Sequence, residues 1–344
     1  MPREPFRIGD TEVAPGTSRT VDLPVSRLSD HTPVTMSVHV VHGRRPGPTL
    51  FVSAAVHGDE VIGVEIARRL LRQPQLGSLA GTLLVVPIVN TFGFLNNSRY
   101  MPDRRDLNRS FPGFETGSLA ARLAHLFMTE VVARSDFGID LHSAAIHRTN
   151  MPQIRVSASS DETLARAEAF GAPVIVRAKL REGSLRAAAR AEGCDILLYE
   201  AGEALRFDEF AARVGASGIL RVMHRMGMIG SKGLGRRRAP SLACASSHWL
   251  RAPAGGLLRM FKEVGEGVEP GTLLAVVSDP FGEHEIEIEA DTAAIVLGRA
   301  TMPVVNEGDA VYHLAPVKAD PEARMARLTA EIEADPMFDE DEIL

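Results

Sequence analysis

The pattern of apolar and polar residues divides the chain into an α/β part and a β part. In the first part, short apolar runs typical of strands alternate with segments whose apolar residues recur at helical spacing. The predicted strands are 34–41, 49–56, 82–86, 137–141 and 195–200, and the predicted helices are 59–71, 118–133, 161–170, 184–192 and 207–225. This alternation predicts an α/β domain with a mostly parallel or mixed sheet flanked by helices.

Helix signals end after the basic, glycine-rich stretch 230–238. Residues 246–314 contain short strand-like runs separated by Gly and Pro turns, a pattern that predicts a smaller all-β domain. The tail carries nine acidic residues against two arginines and is predicted to form a helix with an acidic end, or to be disordered. We therefore predict an α/β domain over 1–240, a β-domain over 241–318 and an acidic tail over 319–344.

Composition and charge exclude some classes of function. A net charge of −6 gives no basic surface for nucleic acid. No apolar run approaches the roughly 20 residues that cross a bilayer, and residues 1–13 lack the pattern of a secretory signal. We therefore expect a cytoplasmic protein with no membrane partner. Cys194 and Cys244 are too few for a disulfide framework and are predicted to be buried free thiols.

Candidate metal ligands stand at the ends of two predicted strands. His57-Gly58-Asp59-Glu60 follows the run 49–56, and Asp140-Leu141-His142 ends the run 137–141. Two ligands close in sequence and a distant histidine are the usual source of a catalytic zinc site with two histidines and one carboxylate. Such a site keeps a fourth position for water, so the pattern indicates a hydrolase that binds one Zn²⁺ per chain.

The His57–Glu60 spacing alone is weak evidence. With 11 histidines and 44 acidic residues in 344, such a pair is expected about once by chance, and His284 with Glu287 forms a second one. That second pair lies in a strand-like segment, where residues three apart point to opposite faces and cannot share an ion. A turn between the strand end and the helix predicted from Asp59 can instead aim His57 and Glu60 at one point.

Other polar residues occur in the same setting. Glu200 ends a third predicted strand, and the long loop 90–115 contains Asn90, Arg99 and Asp106-Leu107-Asn108-Arg109. Taken singly, Glu200 could be a structural ion-pair partner and the arginines solvated loop charges. Ligands of an open α/β sheet collect outside the carboxyl ends of its strands, so the order of these elements predicts a single site.

These segments together resemble the succinylglutamate desuccinylase/aspartoacylase family of the zinc carboxypeptidase-like superfamily. The resemblance covers roughly residues 50–203, and the β-domain also resembles the C-terminal part of that family. Members hydrolyse the amide bond of an N-acylated amino acid. The resemblance implies a zinc carboxypeptidase-like fold and a zinc-dependent deacylase whose substrate is a small anionic N-acyl amino acid.

The resemblance also implies a role for each matching residue. The implied zinc ligands are His57, Glu60 and His142; Glu200 matches the general base, Arg99 the residue that polarises the scissile carbonyl, and Asn108 with Arg109 the pair that holds the substrate carboxylate. The chain departs from the family at Thr91, where a proline is frequent, and at Ala55-Val56, where a glycine is frequent. His147 matches no family position, and we expect a loop or outer histidine rather than a fourth ligand.

The β-domain additionally resembles a lipoyl/biotinyl-type barrel over 251–314. A carrier domain needs a lysine at its exposed hairpin, but the turn at 279–282 has none and Lys262 is the only lysine in the segment. We therefore expect no covalent cofactor. The predicted role of the domain is to limit substrate size beside the cleft or to form a contact in a homo-oligomer.

Two other functions remain open from the sequence. A metallocarboxypeptidase acting on short peptides would use the same ligands, and a non-catalytic binding protein could keep a vestigial site. The expected ligands and base are all present, which argues against a vestigial site. Substrate specificity is expected to lie in loops such as 144–155.

Overall fold

The computed structural model describes residues 3–157, 160–235 and 240–317, and six further positions between 322 and 330. The predicted acidic tail, 319–344, therefore lies almost entirely outside the described residues. Within the described chain, no helix is long and apolar enough to cross a membrane.

Strands make up most of the regular structure of the described chain. They are β1 (Phe6–Ile8), β2 (Thr11–Val13), β3 (Thr17–Arg27), β4 (Pro33–His42), β5 (Arg45–Ala54), β6 (Ala80–Val86), β7 (Phe137–Ala144), β8 (Arg148–Val156), β9 (Val174–Arg177), β10 (Asp195–Glu203), β11 (Leu242–Cys244), β12 (His248–Arg251), β13 (Gly256–Met260), β14 (Gly267–Val268), β15 (Leu273–Ser278), β16 (Glu285–Glu289), β17 (Ala294–Ala300), β18 (Val304–Val305) and β19 (Ala310–Pro316). The α-helices are α1 (Ile62–Leu71), α2 (Thr91–Leu95), α3 (Leu119–Glu130), α4 (Asp161–Phe170), α5 (Leu185–Ala191) and α6 (Glu209–Arg225).

One large sheet of 13 strands organises the molecule. Its strands run in the order β12-β19-β17-β8-β10-β7-β5-β6-β4-β3, with β9, β11 and β14 attached at the sides. The central strands β6, β5, β7 and β10 are mutually parallel. On one side β4 runs antiparallel to β6 and β3 antiparallel to β4, and on the other side β8 runs antiparallel to β10. The prediction of a mixed sheet flanked by helices is confirmed.

The two faces of the sheet carry separate apolar cores. Alternate residues of β5 point to opposite faces, so Leu50 and Val52 pack against α1, α4 and α6, whereas Phe51 packs with α3 and α5. Nearly every residue of β5, β6 and β7 that contributes to these cores is fully buried. This double burial explains why the central strands read as continuous apolar runs.

The C-terminal strands continue the main sheet. All described elements from β11 to β19 are strands, and β17 pairs antiparallel with β8 while β11 pairs parallel with β9. A second, four-stranded sheet in the order β16-β15-β13-β18 packs against β17 and β19 of the main sheet across one shared apolar cluster. The likeness to a lipoyl/biotinyl barrel and the domain bounds 1–240 and 241–318 stay predictions.

The expectation of a loop over 144–155 is wrong, because most of that segment is strand β8. Its pattern hides the strand for two reasons: Pro152 interrupts it, and the polar side chains of Asn150 and Gln153 are buried. Pro152 falls where the register with β10 shifts, a position at which a missing backbone donor is tolerated. Two boundaries also differ, since α1 begins at Ile62 rather than Asp59 and the loop 90–115 contains α2.

Cys194 and Cys244 are buried free thiols, as predicted. Burial, aided by the nearby carboxylates of Asp136 and Asp195, raises the pKa of Cys194 to about 12. This thiol is therefore protonated and unreactive at neutral pH.

The packing of β7 against β5 gives a test of the core. Gly138 lies opposite Phe51, and a Cβ at this position would come within 2.2 Å of the buried Phe51 ring. Gly138→Ala should therefore destabilise the protein by about 1–3 kcal/mol through overpacking. Thermal unfolding at a fixed scan rate should show a lower midpoint for this variant than for the wild type.

Gly77→Ala is the matched control, because a Cβ there would meet no atom within 4 Å. Its midpoint should stay close to that of the wild type. Equal midpoints for the two variants would contradict this description of the β5–β7 contact.

Candidate metal centre and substrate pocket

The turn after β5 brings His57 and Glu60 to the same side. Between the end of β5 and the start of α1, the Glu60 N–H donates to the His57 carbonyl at 3.1 Å and closes a tight turn. Gly58 packs directly on a backbone, since a Cβ there would lie 2.1 Å from the Gly93 carbonyl carbon. Only glycine allows the two backbones to come this close, which explains sterically why residue 58 of the motif is a glycine.

Asn90 anchors this turn to the next one. Its side-chain oxygen accepts from the Gly93 N–H at 2.8 Å and caps α2, and its own N–H donates to the Ala55 carbonyl at 2.9 Å. Ala55 has a φ of 50°, a left-handed conformation that costs energy for a residue with a side chain. Asn90 is fully buried and therefore has a structural role.

His57, Glu60 and His142 form one buried cluster. The Glu60 carboxylate lies between the two imidazoles, with Oε1 2.6 Å from His57 Nδ1 and Oε2 2.7 Å from His142 Nδ1. One ligand atom from each of the three residues lies within 4.8 Å of the others. The three residues are 4%, 1% and 3% exposed. The sequence prediction that these residues meet is thus in agreement with the geometry.

A second carboxylate orients each histidine from behind. Asp106 Oδ1 lies 3.1 Å from His57 Nε2, and Asp140 Oδ2 lies 2.7 Å from His142 Nε2. Asp140 is itself held by the Ser53 hydroxyl at 2.7 Å. Both imidazoles therefore direct Nδ1 toward the centre of the cluster, the arrangement in which metal-ligating histidines are usually held.

The charges of the cluster favour a cation. Burial alone would raise the pKa of Glu60, but the two imidazoles and their hydrogen bonds hold it well below its ordinary value. Burial disfavours the charged form of both histidines, yet Glu60, Asp106 and Asp140 raise their pKa values. Three buried or half-buried carboxylates thus stabilise positive charge here, and a divalent ion is a natural source of it.

The residue set fits a zinc ion. Two imidazole nitrogens and one carboxylate form a donor set of catalytic zinc sites, and the histidines already have the outer carboxylates such sites require. Among the described residues this is the one group of three such side chains close enough to share an ion. His284 and Glu287 are not part of it, and His147 lies in the β7–β8 turn with a φ of 65°.

Glu200 lies beside the cluster at the predicted strand end. It is in register with His142 on the adjacent parallel strand, and both line the same small cavity, of about 150 Å³. Residues on neighbouring strands at the same register share a face of the sheet. The Glu200 side chain is mostly buried and pairs with Arg155.

The loop 90–115 places Arg99, Asn108 and Arg109 at the same cavity. The Arg99 guanidinium lies 3.1 Å from Glu60 Oε1 and 3.2 Å from Asp106 Oδ2. Arg109 donates to the carbonyl of Asn108, whose side-chain oxygen accepts from the Leu185 N–H at 2.9 Å. All seven sequence-predicted residues therefore line one cavity, although their catalytic and binding roles stay predictions.

Sequence reasoning missed several residues of this cavity. Arg155, Arg181 and Arg186 also line it, on β8 and around the start of α5. The sequence predicts a loop at Arg155, and its pairing with Glu200 could therefore not be predicted. The orienting role of Asp140 had a signal in the sequence, because residues two apart in a strand share a face and Asp140 precedes His142 by two.

Residues 46–226, more than half of the chain, match the model of the succinylglutamate desuccinylase/aspartoacylase catalytic domain. The chain belongs to this family. It is 27% identical over 308 residues to the N-alpha-acetyl-L-2,4-diaminobutyric acid deacetylase of Halomonas elongata, covering 86% of this chain and 90% of that protein.

Solved structures with the same architecture cover most of the chain. A succinylglutamate desuccinylase/aspartoacylase structure from Rhodobacter sphaeroides is 27% identical, with a TM-score of 0.78 over 88% of this chain and 96% of the other. The product-bound ectoine utilization protein EutE (DoeB) from Ruegeria pomeroyi is 24% identical, with a TM-score of 0.78 over 87% and 95% of the two chains. The second likeness is one of fold.

Metal content tests the cluster directly. The wild type, stripped of metal and equilibrated with Zn²⁺, should retain about one equivalent per chain after gel filtration, as measured by mass spectrometry of the metal. His57→Ala should retain little zinc, because one of three protein ligands is lost and the Glu60 charge loses its partner. His284→Ala is the control from the look-alike pair and should bind as the wild type does. Equal zinc loss in both variants, or none in either, would contradict the assignment.

Proposed function

We propose that the protein is a zinc-dependent hydrolase that cleaves the amide bond of a small, anionic N-acylated amino acid, with Glu200 as general base. The observation that carries the proposal is the buried His57–Glu60–His142 cluster with Glu200 in register beside it. Membership of the desuccinylase/aspartoacylase family supports this reaction. The named activity of the Halomonas elongata relative, deacetylation of an N-acetylated amino acid, is of the same kind.

His57, Glu60 and His142 would hold Zn²⁺ through their inward-facing atoms. When bound, Zn²⁺ supplies Lewis acidity and lowers the pKa of water toward 7. The carboxylates of Asp106 and Asp140 keep the histidines oriented and increase their basicity as ligands.

Glu200 has two tasks in this reaction. It accepts a proton from the attacking water as the water oxygen bonds to the acyl carbon, and it then delivers that proton to the departing nitrogen as the C–N bond breaks. Amines are poor leaving groups until they are protonated, so one carboxylate that shuttles the proton serves both steps. The products are a carboxylic acid and a free amino group.

Arg99 and Arg109 supply positive charge for two different anions. Arg99, 3.1 Å from Glu60, lies beside the cluster and stabilises the negative oxygen that develops on the scissile carbonyl. Arg109 and Asn108 line the same cavity and are proposed to hold the substrate carboxylate, since a guanidinium binds a carboxylate through two parallel hydrogen bonds. Arg155, Arg181 and Arg186 add to the cationic lining, which supports an anionic substrate.

Size separates this reaction from that of a carboxypeptidase. A cavity of about 150 Å³, bordered by the sheet and by the loops after β7 and before α5, favours a small amide over an extended peptide. The meeting of the proposed ligands His57, Glu60 and His142 with the proposed base Glu200 at one cavity supports a catalytic site over a vestigial one. Cytoplasmic location and homo-oligomerisation stay predictions.

A substrate panel tests the function. The zinc-loaded protein should hydrolyse N-acetyl or N-succinyl amino acids, with release of the free amine measured by a fluorogenic amine reagent. Within the panel, kcat/KM should be highest for acyl amino acids with a free carboxylate and should fall when that carboxylate is amidated. Faster turnover of unblocked di- or tripeptides would instead identify a carboxypeptidase.

Glu200→Gln is the matched variant, because it keeps the shape of the base and removes its proton affinity. It should keep about one equivalent of zinc and lose about 10²–10⁴-fold in kcat. Activity near that of the wild type would show that another group is the base.

A further inference from the structure

We propose that Arg155 is a positioning residue that holds the Glu200 carboxylate in place for catalysis, an inference that rests on the proposed function. Arg155 lies on β8, the strand that pairs with the Glu200 strand β10.

The antiparallel pairing of β8 and β10 places Arg155 diagonally opposite Glu200. Arg155 is the register partner of Leu198, and Glu200 is the partner of Gln153. Since residues two apart in a strand share a face, Arg155 and Glu200 both project on the face that carries His142. Arg155 Nε lies 2.7 Å from Glu200 Oε2.

The contact is an ion pair rather than an aligned hydrogen bond. Neither Arg155 Nε nor Glu200 Oε2 has a hydrogen-bond partner among the described residues, although the two atoms are close. Their side chains are 24% and 16% exposed, so the attraction is less screened than at a surface. Such a contact fixes the place of the carboxylate beside His142.

Arg155 is itself anchored through its backbone. Its carbonyl oxygen accepts a hydrogen bond from Arg186 Nη1 at 3.1 Å, which ties β8 to the start of α5. His313 of β19, stacked on Trp249 at 4.7 Å and 2.9 Å from the Ser247 hydroxyl, is close enough for the charge of Arg155 to act on it. Burial, with the charge of Arg155 as a further cause, lowers the pKa of His313 to about 3, so this ring is uncharged at neutral pH.

Arg186 is the alternative partner for Glu200. It lines the same cavity, and Glu200 exerts an electrostatic influence on it. With Arg155 removed, the Glu200 carboxylate is free to turn toward Arg186, away from its place beside His142. The expected consequence is a loss of turnover without a matching loss of substrate binding, because the groups assigned to the substrate carboxylate are untouched.

Arg155→Met and Arg155→Lys test this role. Arg155→Met should lower kcat by about 10²-fold with KM within about threefold of the wild type and zinc content unchanged. Arg155→Lys retains a cation, and its kcat should be at least about tenfold higher than that of Arg155→Met. Arg177→Met is the matched control, an exposed arginine on the neighbouring strand β9, and should leave kcat and KM unchanged.

Two further readouts separate positioning from a general structural effect. Guanidinium chloride at millimolar concentration should raise the kcat of Arg155→Met, because the added cation occupies the space of the missing group. In the Glu200→Gln background, Arg155→Met should have almost no additional effect on kcat, since there is no carboxylate left to position.

Several results would overturn the inference. A rise in KM with unchanged kcat would show that Arg155 binds the substrate instead, and additive effects in the double variant would separate Arg155 from Glu200. If Arg155→Met does not fold, Arg155→Gln takes its place, and a kcat for Arg155→Gln equal to that of Arg177→Met contradicts the role. Wild-type zinc enzyme that hydrolyses no N-acyl amino acid would refute the proposed function itself, and this inference with it.

Discussion

The organisation of the site depends on one buried carboxylate. Glu60 is 1% exposed, and a charge removed from water is tolerated only where opposite charge and hydrogen bonds compensate it. His57 and His142 supply those contacts from two different strand ends, and Asp106 and Asp140 in turn hold the histidines.

The sheet makes this series of contacts possible. The ends of the parallel strands β5, β7 and β10 lie side by side, so a turn after β5 and single residues on β7 and β10 meet although they are far apart in sequence. Two contacts fix the turn after β5: Gly58 packs on the backbone of Gly93, and Asn90 caps α2. On the other side, β8 joins the strands that carry the site to the C-terminal strands through β17. Arg155 lies on this strand and pairs with Glu200.

Much of this arrangement could be predicted from the sequence because its signals are local. Apolar runs located the central strands, and the polar residues directly after them marked the edge where the site forms. The strand β8 escaped prediction because Pro152 and buried polar side chains break its pattern, and their burial depends on partners from β10 and β17 that are distant in sequence. Because β8 was not predicted, the pairing of Arg155 with Glu200 was not predicted either. Asn90 was matched as a family residue, yet only the structure gives its role in capping α2.

Anomalous diffraction at the zinc absorption edge, from crystals of the zinc-loaded protein, tests the central claim most directly. The account predicts one strong peak per chain, about 2.0–2.2 Å from His57 Nδ1, His142 Nδ1 and a Glu60 oxygen, with a fourth position open toward Glu200. A peak bound by other residues, or a Glu60 carboxylate still lying between the two imidazoles with no peak in zinc-saturated crystals, would contradict it.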